Sequence, residues 1–159
     1  MSVSFLKRAA IFFVIVGGFL CFSFNPSVAH ATGVNRAVFN YLTHCGGCHG
    51  IEGQSGDSGI PSLRDHVDVF LCSKEGRAYL GQVPGVSMSL IRSDQELADV
   101  LNFMVFQFGG ESLQPNTKPY TAAEVHALRQ HPVKVDDIMT YRAEILGRAL
   151  PACQHSKTP

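Results

Sequence analysis

The rhythm of apolar and polar positions changes along this chain, and each change marks an element. From Ala9 to Phe24 the residues are uncharged and mostly apolar, with no period. Beyond them Val34, Val38, Tyr41 and Leu42 recur at spacings of four, three and one, which predicts an amphipathic helix. The stretch "GIEGQSGDSGIPSL" is glycine-rich and reads as loop as far as Pro61. "RDHVDVFLCSKEGRAYLGQ" carries enough apolar residues for one or two short helices, and "VPGVSMSLI" reads as extended or loop, with Pro84 and Gly85 as breakers. The clearest helix follows: Ser93 and Glu96 form a capping box, Leu97, Val100, Leu101, Met104 and Phe108 make one apolar stripe, and Gly109-Gly110 is the stop. Two short helices close the chain. Thr121 and Glu124 are a second capping box, with Tyr120 and Val125 as a hydrophobic staple and Pro132 as the stop; Ile138, Tyr141 and Ile145 then share a face in a helix expected to end before Pro151. No segment shows a convincing run of alternating strands, so the expected fold class is all-α.

Charge and compartment narrow the picture. Lys7 and Arg8 precede the apolar run, and Pro26 with small Ala29 and Ala31 follows it, the order of a cleavable secretory signal peptide over residues 1–31. The competing reading is a retained membrane anchor, because a run of 16 residues falls just short of the roughly 17–25 that span a bilayer. Bulky Leu20 before Cys21 speaks against a lipoprotein site and leaves Cys21 as filler of the signal core. Cleavage would leave 128 residues, one domain with a modest core, and 11 basic against 13 acidic side chains. That balance offers no basic footprint, so no nucleic-acid partner is expected. No second apolar span occurs, so no membrane span is expected after cleavage, and the implied location is periplasmic.

Four cysteines then remain, Cys45, Cys48, Cys72 and Cys153. Two disulfides are the default in an oxidising compartment. His49, directly after Cys48 in "YLTHCGGCHG", argues otherwise for the first pair. C-x-x-C-H is the attachment signature of haem c: two thiols add across the porphyrin vinyl groups and the next imidazole lies under the iron. Gly46 and Gly47 leave room for a macrocycle against the backbone. A zinc site wants a second ligand pair at similar spacing, which Cys72 and Cys153 do not supply. A redox dithiol wants a strand-to-helix junction, whereas a helix precedes this motif.

With these flanks the chain resembles the class I, mitochondrial-like, monohaem cytochromes c, over roughly Val34 to Phe108. Ala37 and Tyr41 stand eight and four residues before Cys45, where that family has a small residue and an aromatic at the contact between its first and last helices; Val100 and Phe103 match their partners. The resemblance implies a helical domain over 32–110 around one covalently attached haem c, with Cys45 and Cys48 as thioether positions and His49 as proximal ligand. It also implies that the Pro61 carbonyl accepts a hydrogen bond from that imidazole, and that Met88 is the distal ligand. Residues 111–159 lie beyond it, as a helical extension packed on the domain. The implied function is a one-electron carrier, not an enzyme, working between a donor and an acceptor such as a dehydrogenase, an oxidase or a reductase.

Other residues compete for roles. His66 is the best alternative distal ligand; His44 is too close to Cys45 to reach the opposite haem face, and His126, His131 and His155 have no ligand spacing. Met104 fits a core stripe, and Met139 lies past the recognised domain. Arg77 and Tyr79 could hydrogen-bond haem propionates, or be an exposed arginine and a packed tyrosine. Cys72 and Cys153 could form a disulfide if the C-terminus folds back. Were the sixth position open, the protein would be a small peroxidase or gas sensor; with no haem, the pair would be a dithiol oxidoreductase.

Overall fold

The computed structural model describes residues 31–57 and 59–155. The expected signal peptide, Ala31 apart, lies outside the described residues. Every regular element among those described is helical: α1 (Ala31–His44), the single turn α2 (Gly46–His49), a 3-10 helix (Val67–Cys72), α3 (Lys74–Gln82), the single turn α4 (Pro84–Ser87), α5 (Asp94–Phe108), α6 (Ala122–Arg129) and α7 (Ile138–His155). The all-α expectation holds.

The central contact is α1 across α5. Ala37, Asn40 and Tyr41 line the inward side of α1 at spacings of three and one, and all three are buried. Leu42, counted in the apolar stripe by its spacing, faces outward instead and is 45% exposed. Polar Asn40 takes its turn on the inward face because its amide finds Glu96 on α5 at 3.5 Å. The Tyr41 ring lies 5.4 Å from Phe103 and 5.1 Å from Phe108, which are themselves 5.3 Å apart. Such tilted pairs add about 0.5–1.5 kcal/mol each beyond the area they bury.

Both predicted capping boxes form only their first half. Ser93 Oγ accepts from the Glu96 amide and Thr121 Oγ1 from the Glu124 amide. The two glutamate side chains turn instead to neighbouring helices: Glu96 to Asn40 and Arg36, Glu124 to Arg77. Each carboxylate thereby links its helix to a neighbour instead of closing its own first turn.

Two expectations need correction. Residues 84–87 form a helical turn rather than extended chain, because Pro84 stands at its first position, where proline needs no N–H and its fixed φ already suits a helix. The last helix does not stop before Pro151 but runs through it to His155. The backbone bond that Pro151 cannot donate would have gone to Gly147, which is exposed, so water can take its carbonyl. Beyond the proline, Cys153 is buried and pins the final turn to the 3-10 helix through a disulfide with Cys72, Cα to Cα 5.0 Å.

Polar links tie residues 111–155 to what precedes them. Asn102 on α5 donates to the Tyr120 carbonyl and accepts from its amide, at 2.9 and 2.6 Å, and buried Tyr120 donates its hydroxyl to the Arg77 carbonyl at 2.7 Å. The Val133 amide donates to the Gln82 carbonyl at the end of α3, 2.9 Å away.

Candidate metal centre

The C-x-x-C-H segment continues α1. The Cys45 amide still bonds the Tyr41 carbonyl at 2.8 Å, and the amides of Cys48 and His49 both bond the Cys45 carbonyl. Residues 45, 48 and 49 therefore stand at i, i+3 and i+4 of one helical turn, which puts two sulfurs and an imidazole on one side. Both thiols are free, Cys45 half-buried and Cys48 exposed. Burial, with Cys48 beside it, pushes the Cys45 thiol up to about 11. That is the opposite of the lowered values that activate the cysteines of dithiol oxidoreductases.

His49 is oriented by a loop that closes on one atom. Gly53 has φ +75°, and a Cβ there would sit 2.7 Å from the Phe108 ring, so only glycine fits. Its carbonyl then accepts from the amides of Leu63 and Arg64 and from the Ser62 hydroxyl, at 2.8, 3.0 and 2.9 Å. This closure returns the chain to the motif and leaves the Pro61 carbonyl 3.1 Å from His49 Nδ1. A carbonyl can only accept, so the contact requires the proton on Nδ1 and leaves the lone pair on Nε2 for a metal. Burial lowers the imidazole's pKa, with the Pro61 bond opposing it, and so favours the neutral ring a metal requires. The Tyr41 hydroxyl donates to the Gly50 carbonyl at 2.6 Å and ties the loop back to α1.

Met88 follows α4 and its side chain is 70% exposed, unlike Met104, which is buried in the core, as its place in the α5 stripe implies. Leu90, Ile51 and Ile60 are also uncovered, at 71%, 73% and 38%. These apolar side chains stand on the segments that carry Met88, Cys48 and Pro61. Uncovered apolar groups, two thiols, a neutral imidazole and a thioether are the donors and surface that a flat, largely apolar iron macrocycle would use, so the residues fit haem c. At Gly47 an added Cβ would meet no protein atom within 4 Å, so the chain's own packing does not demand glycine there.

The remaining candidates lie elsewhere. Arg77 is engaged by the extension: Nε and Nη2 donate to Glu124 at 2.6 and 2.8 Å, Nη1 and Nη2 to the carbonyls of Lys118 and Pro119, and its guanidinium covers the Tyr120 ring at 4.0 Å. Tyr79 is buried with its ring stacked on Phe70, 5.2 Å between centroids. His44, His66 and His131 are exposed, whereas His126 bonds Asp94 at 2.8 Å, a partnership its spacing did not signal.

Comparison with known proteins adds to this geometry. A cytochrome c-552 of Thermus thermophilus is 30% identical over 118 residues, covering 64% of this chain and 90% of that protein. The chain belongs to the cytochrome c family. A second cytochrome c-552, from another Thermus thermophilus source, is 28% identical over 157 residues, covering 88% of this chain and 98% of the relative. That coverage of this cytochrome cannot fit before residue 110, so the likeness runs on into the C-terminal segment. No family model and no solved structure matches the chain.

Proposed function

We propose that this cytochrome is an exported, class I, monohaem electron carrier that works in the periplasm between a donor and an acceptor protein. In this reading Cys45 and Cys48 hold one haem c by thioether bonds, His49 is the proximal ligand, Met88 is the sixth, and residues 32–110 form the haem domain. The observation that carries it is the helical turn placing Cys45, Cys48 and His49 on one side, with His49 Nδ1 held by Pro61. The names of the two relatives support the same assignment.

Bound haem supplies an iron that exchanges one electron at a time. The chain's own residues do the rest. The Pro61 carbonyl fixes the imidazole's rotation and keeps Nε2 basic. A soft thioether from Met88 raises the reduction potential above that of two imidazoles. With His49 and Met88 both holding the iron, the protein would leave no place on it for a substrate, which favours a carrier over an enzyme. Arg77 takes no part in this proposal, because Glu124 and two carbonyls already take most of its N–H donors.

The test is an optical spectrum of protein purified from a host that attaches haem c, oxidised and dithionite-reduced. A covalently bound low-spin haem is expected, with a weak iron–sulfur band near the red end that is lost in Met88→Ala. A high-spin spectrum would mean an open sixth position, and the peroxidase or sensor reading would replace this one.

A further inference from the structure

We infer that Arg129, at the end of α6 in the C-terminal segment, is a positioning residue for Met88; this rests on the sixth-ligand reading above. Its guanidinium donates to the Ser89 carbonyl at 3.3 Å and the Ile91 carbonyl at 3.2 Å, the residues one and three beyond Met88. The same group is held by Asp94 Oδ1 at 3.0 Å, and the other Asp94 oxygen takes His126 Nδ1 at 2.8 Å. The arginine side chain is only 14% exposed, so these bonds are largely shielded from water.

Apart from these contacts, the backbone around Met88 is held by one turn's own bonds and by the burial of Ser87 before it and Ile91 after it. Its local bonds are those of a single turn: the amides of Val86 and Ser87 to the Val83 carbonyl, of Met88 to Pro84 and of Ser89 to Val86, the Ser87 hydroxyl to the Val83 carbonyl, and the Ile91 amide to the Ser89 hydroxyl. One turn is far below the length at which a helix is stable by itself. The C-terminal segment brackets this stretch on both sides: the Val133 amide holds Gln82 just before it, and Arg129 holds Ser89 and Ile91 just after. α6 is a firm base for this, since Val125 is fully buried and Asn102 and Arg77 grip Tyr120 and Glu124 at its start. A flexible methionine needs a fixed backbone to stay within bonding reach of a metal, and the C-terminal segment supplies it.

The experiment compares full-length holoprotein with Arg129→Ala, Arg129→Lys and, as a control, Arg148→Ala, which breaks an ion pair of α7 with Glu75 on α3. Amide hydrogen exchange across residues 83–91 is read alongside competition by added imidazole for the sixth position, followed by loss of the red-end band. Arg129→Ala is expected to speed exchange in 83–91 about tenfold and to lower the imidazole needed by a similar factor, a loss in keeping with about one net hydrogen bond once the freed carbonyls meet water. Lysine, which keeps the charge but not the fork, should rescue only part, and Arg148→Ala should change neither readout. If Arg129→Ala does not fold, Arg129→Lys still has to show the smaller effect in both. A red-end band in the unmutated protein with exchange and competition unchanged in the Arg129 variants would overturn this inference alone. Absence of that band, with Met88→Ala spectroscopically silent, would overturn the ligand reading and this inference with it.

Discussion

The residues before 110 and those after it share one apolar core, but polar bonds add to it differently in each. α1 and α5 meet through Tyr41, Val100, Phe103 and Phe108, an apolar contact in which no single polar bond dominates. The later helices add Tyr120, Val125 and Ile145 to that core and are fixed besides by directed polar bonds, Arg77 to Glu124 and Asn102 to Tyr120 at the start of α6 and Arg129 to Asp94 at its end, and by one covalent link near the end of α7. Apolar burial tolerates small shifts, because it is roughly proportional to area and has no direction. Charged hydrogen bonds fix a position to a fraction of an ångström and weaken steeply when bent. The second region is therefore suited to fixing a loop, and the first to providing bulk stability.

The largest test of that contrast is Tyr41→Ala, which opens a cavity at a fully buried position between α1 and α5. It should cost about 3–5 kcal/mol, read as a drop in the denaturation midpoint. Next comes the double variant Cys72→Ser and Cys153→Ser, which removes a link between residues 81 apart. Its expected loss is about 2–5 kcal/mol, and a reductant that destabilises the parent should leave the variant unaffected. An equal response of both proteins to reductant would mean that the bridge contributes nothing.

A smaller and more selective effect should follow pH. Arg129 first, then His126, holds the Asp94 carboxyl below its ordinary value. A group depressed in the folded state adds stability that is fully present above the unfolded value, about 3.9, and is lost as pH falls through the folded one. Melting temperature should therefore fall on acidification below about pH 4, and Asp94→Asn should shrink that fall while lowering stability at neutral pH. The least effect belongs to Arg148→Ala, since its pair with Glu75 is exposed on both sides; a change of about 0–1 kcal/mol in the same melts is expected.

The same contrast explains what could be read from the sequence. The α5 stripe, both N-caps and the Cys45, Cys48, His49 turn were legible because each is a local pattern with a fixed period or spacing. The Pro61 contact was legible only through family likeness, since it depends on a loop closing on the Gly53 carbonyl. Arg129 and His126 carried no signal at all. Nothing in one chain of letters says which of several acids an arginine 35 residues away will meet. Leu42 misled for a related reason: periodicity selects a helix, but the partner's shape selects its face.

The Gly53 closure also bears on the order in which the molecule is made. Everything that orients His49, from Tyr41 to Arg64, lies within a short stretch, apart from Phe108, whose ring packs against Gly53 and whose carbonyl takes the Asp65 amide. The bonds that bracket Met88 come from residues 129 and 133, which emerge much later. A chain that folds from its N-terminus can thus fix His49 while the stretch around Met88 is still without this support. A chain ending near residue 110 would keep the bonds that orient His49 and lack those that hold Ser89 and Ile91.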